Sequence, residues 1–203
     1  FTVVLDTQPT SNVVITVASA DTGEATVSPA TLTFTNANWN ATQTVTVTGV
    51  DDTATDGPQD TTVTIAVDDD NSDNAFDGLA DQTVTATTTD DDTAGFALST
   101  TTASVTEGGS TATFTVVLDS QPTSDVVLTV VSADTDEATV SPTPLTFTNG
   151  DWDTPQTVTV TGVDDSVDDG NQDTTVTIAV DDDNSDNAFD GLADQTVTAT
   201  TTD

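Results

Sequence analysis

The chain has 203 residues, with 36 acidic side chains and no Lys, Arg or His, so its formal net charge at pH 7 is -36. A chain without cations cannot neutralise phosphates, which excludes nucleic acids and anionic membrane surfaces as partners. The absence of His, Cys, Lys and Tyr also removes the usual general bases and nucleophiles, so we expect no enzymatic activity, while the abundant carboxylate oxygens suit hard cations such as Ca²⁺.

Two copies of one repeat make up the chain. The sequence of residues 1–10 recurs at residues 114–123 with one substitution. The same spacing between paired residues then continues without a gap to the last residue. Sixteen of the ninety paired positions differ, and residues 59–90 are identical to residues 172–203. Near-identical tandem copies indicate a segment of a longer repetitive array. The predicted organisation is a first repeat at 1–90 that lacks its first strand, an acidic junction at 91–94, and a complete second repeat at 95–203.

Alternation of apolar and polar residues predicts strands throughout the repeat. In Thr157–Thr161 valines and threonines alternate, which places the valines on one face of a strand and the threonines on the other. Clusters of Pro, Gly, Asn and Asp separate such runs, as turns require. The complete repeat is predicted to hold strands A (96–106), B (112–119), C (125–131), D (138–147, broken at Pro142), E (156–163), F (174–180) and G (195–202).

Seven short strands at this spacing are typical of an immunoglobulin-like sandwich. The predicted fold is therefore all-β, with tandem antiparallel β-sandwich modules of about seven strands each. Trp39 and Trp152, which precede strand E, are predicted to cap the core, with carbohydrate binding as the alternative. The predicted core consists of Phe96, Leu98, Val105, Phe114, Val116, Leu118, Val126, Leu128, Val130, Leu145, Phe147, Trp152, Val158, Val160, Val176, Ile178 and Val197.

The acidic residues concentrate where the predicted strands end. In an antiparallel succession the AB, CD and EF connections lie at one end of the sandwich, together with the end of strand G; we call this end the exit pole. Carboxylates gathered there would repel one another unless cations lay between them. The exit pole is therefore predicted to bind Ca²⁺, with a solvated acidic surface as the alternative. Its acids are Glu107, Asp134, Asp136, Glu137, Asp164, Asp165, Asp168, Asp169 and Asp203, and in the first copy Asp21, Glu24, Asp51, Asp52, Asp56 and Asp90, followed by Asp91 and Asp92.

The opposite end of the sandwich is acidic as well, chiefly through the predicted FG connection at Asp181–Asn187. Asp182, Asn184 and Asp186 alternate as in a calcium loop, but Asn187 replaces the usual turn glycine and no Glu closes the motif. A calcium loop and a solvated acidic loop both stay open for this segment.

Several motifs carry a family resemblance, namely Ser104–Gly109, Gly162–Asp165, Asp168–Gly170, Thr200–Asp203 and the acidic run Asp90–Asp92. In these motifs the sequence resembles the Calx-beta family of calcium-binding sandwiches, found in sodium–calcium exchangers and in tandem arrays of large bacterial surface proteins. The resemblance implies calcium binding and a place at the cell surface. The ligands that it implies are Glu107, Asp134, Asp164, Asp165, Asp168 and Asp203 in the complete copy, and Asp21, Asp51, Asp52, Asp90, Asp91 and Asp92 in the first.

These features predict a structural repeat of a long extracellular protein, either a Ca²⁺-rigidified adhesin stalk or a cell-surface filament. Its partners would be neighbouring repeats or subunits of the same protein, with any host-surface or glycan target elsewhere in the parent chain. No apolar run is long enough to insert into a membrane. One alternative is a subunit of a non-covalent filament or surface layer assembled by β-strand complementation. A further alternative is a carbohydrate- or ice-binding module built on the threonine rows.

Overall fold

The computed structural model describes residues 1–167 and 170–203, so Asp168 and Asp169 of the predicted EF connection lie outside the described residues. The described chain is almost entirely strand and turn, with short 3₁₀ segments at Asp69–Asn71 and Asp182–Asn184. None of its helical segments is long and apolar enough to cross a membrane. The prediction of an all-β fold is confirmed.

The chain forms two compact units, each with its own hydrophobic core. Unit one comprises Phe1–Asp52 and Gly57–Asp90, and unit two comprises Thr53–Asp56 and Asp91–Asp203. The residues of the predicted acidic junction therefore belong to unit two.

Unit one is a small sandwich built from eight strands. One sheet has the order β4-β2-β7-β8, and the antiparallel pairs β1–β5 and β3–β6 supply the second layer around a shared core. The strands are β1 (Thr2–Val3), β2 (Val13–Ser19), β3 (Ala25–Ser28), β4 (Thr31–Phe34), β5 (Gln43–Thr44), β6 (Thr46–Gly49), β7 (Gln59–Val67) and β8 (Gln82–Thr88).

Unit two is the complete sandwich. A five-stranded sheet of order β10-β17-β16-β12-β14 faces a four-stranded sheet of order β13-β15-β11-β9. The strands are β9 (Phe96–Leu98), β10 (Thr102–Thr106), β11 (Thr111–Leu118), β12 (Val126–Ser132), β13 (Ala138–Ser141), β14 (Leu145–Phe147), β15 (Gln156–Gly162), β16 (Gln172–Val180) and β17 (Gln195–Thr202).

Predicted strand A consists of two strands that belong to different sheets. β9 pairs antiparallel with β11, whereas β10 pairs parallel with β17. An even number of chain reversals separates β10 from β17, so the two strands point the same way when they become neighbours. Predicted strand D divides near Pro142 in a similar manner, into β13 beside β15 and β14 beside β12. Strands that change layer in this way tie the two sheets of a sandwich together.

The core of unit two consists of the inward-facing residues that the alternation predicts. Phe114, Val158 and Val176 come from three different strands, and all three are buried. Trp152 is partly buried and packs against this core, as predicted. Phe189 is an addition that strand alternation does not reveal, because it lies in the connection between β16 and β17 and yet is fully buried.

Phe189→Ala is expected to lower the free energy of unfolding of unit two by about 3–5 kcal/mol, because it removes a buried ring and leaves a cavity. The measurement is urea denaturation followed by Trp152 fluorescence in a Trp39→Phe background, which isolates the signal of unit two. Val131→Ala, at a side chain that is 56% exposed, is the control and should change the free energy by less than about 0.5 kcal/mol. An equal decrease in the free energy of unfolding for the two substitutions would contradict the assigned core.

Candidate functional site

Backbone contacts assemble the exit pole of unit two. Glu107 N donates to Thr202 O at 3.1 Å, which brings the β10–β11 connection to the end of β17. Thr201 Oγ1 donates to Glu137 O at 3.2 Å, so the β12–β13 connection reaches the same place. Val163 N also donates to Glu137 O, at 2.9 Å, and adds the β15–β16 connection. Three connections therefore meet at the end of β17.

Several predicted ligands of unit two use their carboxylates to hold their own loops. Asp203 Oδ2 accepts a hydrogen bond from Gly170 N, which joins the end of the chain to the β15–β16 connection. Asp134 Oδ1 and Asp165 Oδ1 each accept the amide two residues further along, at 3.0 and 2.7 Å. These short-range bonds are the turn chemistry that aspartate commonly provides. Asp164 is exposed in the same connection as Asp165.

The exit pole of unit one repeats this pattern. Asp90 Oδ2 accepts Gly57 N at 2.7 Å, Asp21 Oδ1 accepts the amide two residues further along at 2.8 Å, and Glu24 O accepts Thr88 Oγ1 at 2.8 Å. The ligands predicted for the first copy are divided between the two units, with Asp21, Asp51, Asp52 and Asp90 in unit one and Asp91 and Asp92 in unit two.

The exit poles offer a hard cation the right donor chemistry, since carboxylates and backbone carbonyls are the groups that these loops contain. Within residues 1–167 and 170–203, however, no group of three or more carboxylates lies close enough together to hold a metal ion. In unit two the described contacts bring the connections that contain Glu107, Asp134 and Asp165 to the end of β17 without clustering three carboxylates. Asp168 lies outside the described residues.

A buried aspartate organises the opposite end of unit two. Asp186 is 6% exposed, and its Oδ2 accepts the amide and the hydroxyl of Thr123, both at 2.7 Å, and Ser124 N at 2.8 Å. Its Oδ1 accepts Ala188 N at 2.9 Å. The three donors from Thr123 and Ser124 tie the β16–β17 connection to the β11–β12 connection, and we call the whole arrangement the aspartate clasp. The acid that closes the calcium-like run at Asp182–Asp186 therefore fixes a loop through neutral donors.

Unit one contains the same aspartate clasp around Asp73, whose Oδ2 accepts the amide and hydroxyl of Thr10 at 2.6 and 2.7 Å. Hydrogen bonds from the Ala75 amide, the Thr10 hydroxyl and neighbouring amides hold the pKa of Asp73 well below its usual range. In unit two burial raises the pKa of Asp186, but hydrogen bonds from the Thr123 hydroxyl and the loop amides outweigh burial and lower that pKa overall. Both clasps are therefore charged at neutral pH, because the ionised form is the better acceptor.

No family model matches the chain, and no curated protein matches it. Among solved structures, the chain is similar to domains 4 and 5 of the S-layer protein SbsC at 22% identity, covering 93% of this chain and 70% of that one, with a TM-score of 0.45. It is similar to rSbsC(31-844) of the same S-layer protein at 22% identity, covering 92% and 20%, with a TM-score of 0.44. The periplasmic chaperone SfaE matches at 13% identity over 53% of this chain and 57% of that one, with a TM-score of 0.42. Likenesses this distant assign no family.

Asp186→Asn is expected to lower the free energy of unfolding of unit two at pH 7 by about 1–3 kcal/mol, because the neutral amide is a poorer acceptor than the buried carboxylate for its four hydrogen bonds. The pKa of Asp186 is lower in the folded than in the unfolded state, so the carboxylate stabilises unit two above the unfolded pKa of about 4. This contribution is lost as the pH falls through the folded-state pKa. The difference between wild type and variant should therefore shrink below about pH 4.

The measurement is chemical denaturation between pH 7 and the lowest pH at which the chain stays folded. Asp190→Asn, at an exposed acid of the same connection, is the matched control and should show little change at any pH. A stability difference between wild type and the Asp186→Asn variant that is the same at every pH would contradict a charged clasp.

Proposed function

We propose that the chain is a structural repeat segment of a long extracellular protein, a cell-surface stalk or filament stiffened by Ca²⁺. The observation that carries the proposal is tandem repetition, since only sixteen of ninety paired positions differ and each copy has its own core. A repeat that adds length without adding new side-chain chemistry suits a protein that spans distance.

The side-chain chemistry supports a structural role over a catalytic one. The titratable side chains are all carboxylates. Asp134, Asp165 and Asp186 accept hydrogen bonds that fix the conformation of their loops, which is a structural role. We therefore propose no enzymatic activity for this chain.

The charge of the chain fits an exposed location. Without Lys or Arg, the chain offers trypsin-like proteases no cleavage site. A high net charge of one sign also keeps a protein soluble. Both properties suit a fibre that is exposed outside the cell, where its partners are neighbouring repeats or subunits of the same protein.

Calcium is the cofactor proposed for the exit pole. In the complete copy Glu107, Asp134, Asp164, Asp165 and Asp203 would supply oxygens, together with Asp168 from outside the described residues. The donor set suits Ca²⁺, although the described side chains, which do not include Asp168, do not form a group of three. Extracellular calcium sites bind at about 10⁻⁴–10⁻³ M, and a site of this affinity at millimolar calcium stabilises its unit by about 1 kcal/mol.

Calcium at about 5 mM should raise the melting temperature of the chain by several degrees relative to EDTA, because a ligand that binds only the folded state stabilises it. Differential scanning calorimetry gives the shift, and isothermal titration gives the stoichiometry. Magnesium at the same concentration separates binding from charge screening, because it demands a tighter octahedral geometry.

The variant Asp164→Asn/Asp165→Asn should reduce the calcium shift, whereas the double variant Asp182→Asn/Asp190→Asn, with the same loss of charge at the opposite end, should keep it. Equal shifts with magnesium, or in both double variants, would show that the cation only screens repulsion. The calcium part of the proposal would then fail.

Assembly by β-strand complementation is the second candidate function. Strands at the ends of the described sheets, such as β4 in unit one and β14 in unit two, have a neighbouring strand on one side only. A sheet edge of this kind can take an added strand from another chain.

A further inference from the structure

The connection between β14 and β15 contains the one Asn-Gly sequence of the chain, at Asn149 and Gly150. Both residues are exposed to water. Glycine has no Cβ beside its amide nitrogen, so this nitrogen can approach the side-chain carbonyl of a preceding asparagine with the least steric hindrance. The pair therefore meets the steric condition for attack of a backbone amide on a side-chain amide.

A hydroxyl group and a carboxylate lie beside the nitrogen of Gly150. Gly150 N donates to Thr148 Oγ1 at 3.2 Å, and Thr148 Oγ1 donates to Asp151 Oδ1 at 2.7 Å. Hydrogen bonds from the hydroxyl and the amide of Thr148 hold the pKa of Asp151 below its usual range, so this acid is ionised at neutral pH. A proton that leaves Gly150 N can therefore pass to the hydroxyl oxygen while the hydroxyl proton passes to the carboxylate.

Unit one contains the same loop with two of these groups changed. Residues 36–38 are the counterparts of residues 149–151, with Ala37 in place of the glycine and Asn38 in place of the aspartate. Ala37 N donates to Thr35 Oγ1 at 3.3 Å, and Thr35 Oγ1 donates to Asn38 Oδ1 at 2.8 Å. The hydrogen bonds have the same arrangement, but the nitrogen has a Cβ beside it and the last acceptor is a neutral amide. The two loops thus differ in the groups that would take part in the attack.

We propose that Asn149 converts without an enzyme to aspartate and isoaspartate, with the nitrogen of Gly150 as the nucleophile and water as the second reactant. The nitrogen loses its proton towards Thr148 and bonds to Asn149 Cγ, the Cγ–Nδ2 bond breaks, and ammonia leaves. Water then opens the resulting succinimide ring. Opening at Cγ gives aspartate, and opening at the main-chain carbonyl carbon gives isoaspartate. Asp151 acts through Thr148 and is a positioning residue for the first step.

The conversion changes both the charge and the main chain of this connection. Either product adds one negative charge two residues before Asp151. Asn149 O accepts a hydrogen bond from Gln121 Nε2 at 2.8 Å, which ties this connection to the β11–β12 connection. In isoaspartate the carbon of that carbonyl becomes part of a free carboxylate and the main chain runs through Cγ. The tie between the two connections is therefore altered in every molecule that carries isoaspartate.

The test is incubation of the full 203-residue chain near neutral pH, followed by digestion with pepsin. Mass spectrometry then measures the gain of one mass unit at each asparagine, and labelling by an isoaspartyl methyltransferase detects isoaspartate. Asn149 is expected to convert at least tenfold faster than Asn36, because only its neighbour lacks a Cβ. Equal rates at the two residues, or an unmodified Asn149, would overturn the inference.

Exchange of the two loop sequences separates this chemistry from the stability of the loop. Gly150→Ala should slow the conversion of Asn149 at least tenfold while unit two stays folded, since the added Cβ would meet nothing closer than 3.8 Å. The reciprocal double variant Ala37→Gly/Asn38→Asp should bring the asparagine of unit one to the wild-type rate of Asn149. An asparagine that stays unmodified in the double variant would contradict the assigned nucleophile.

Asp151→Asn tests the part played by the carboxylate. Asn38 of unit one accepts the same two hydrogen bonds from its threonine, so the loop should keep its conformation in the variant. The rate at Asn149 should fall at least tenfold near neutral pH, because the proton acceptor is lost. The rate should also rise more steeply with pH in the variant, where hydroxide has to remove the proton. Equal rates and equal pH slopes would overturn the inference, whereas neither the calcium proposal nor the assembly proposal depends on the result.

Discussion

A chain without a cationic side chain has to satisfy its buried carboxylates with neutral donors, and this constraint runs through both units. Backbone amides and hydroxyl groups are the donors that remain in quantity. Thr123 gives both its amide and its hydroxyl to Asp186, and Thr200 Oγ1 donates to Asp173 Oδ1 at 2.6 Å between β17 and β16. In the described residues, every buried side-chain nitrogen or oxygen has a hydrogen-bond partner. Threonine therefore has two roles in this chain: it forms strands, and it donates hydrogen bonds to aspartates.

The same constraint separates the acids into two classes. Asp73 and Asp186 are buried, and each has enough donors to remain ionised inside its loop. At the exit pole of unit two, Asp134 and Asp165 each accept one backbone amide, and both side chains are exposed to water, as is that of Asp164. Exposed carboxylates can offer oxygens to a cation, which is why the calcium proposal rests on the exit poles and leaves the aspartate clasps out.

The strands, the two-layer arrangement and most of the core follow from the sequence, because alternation and turn residues are local signals. The division of predicted strand A does not follow from the sequence, because no local sequence signal shows that β9 pairs with β11 while β10 pairs with β17 in the other sheet. Neither the burial of Phe189 nor the aspartate clasp is predictable from strand alternation, for a related reason. Both depend on a long connection folding back on the core, and three of the four donors of Asp186 lie more than sixty residues away along the chain. The placement of Glu107, Asp134 and Asp203 at one end follows from counting chain reversals, but the direction of each carboxylate depends on loop conformations that counting does not supply.

The identity of residues 59–90 with residues 172–203 places one sequence in two surroundings. β7 and β8 have the same side chains as β16 and β17, yet the outer edge of β8 lacks the neighbour that β17 has in β10. In a nuclear magnetic resonance spectrum, paired residues of the two segments would differ in chemical shift only because their environments differ. Each copy is thus an internal reference for the other, and the separation between paired peaks maps, residue by residue, how the surroundings of one strand sequence differ between the two units.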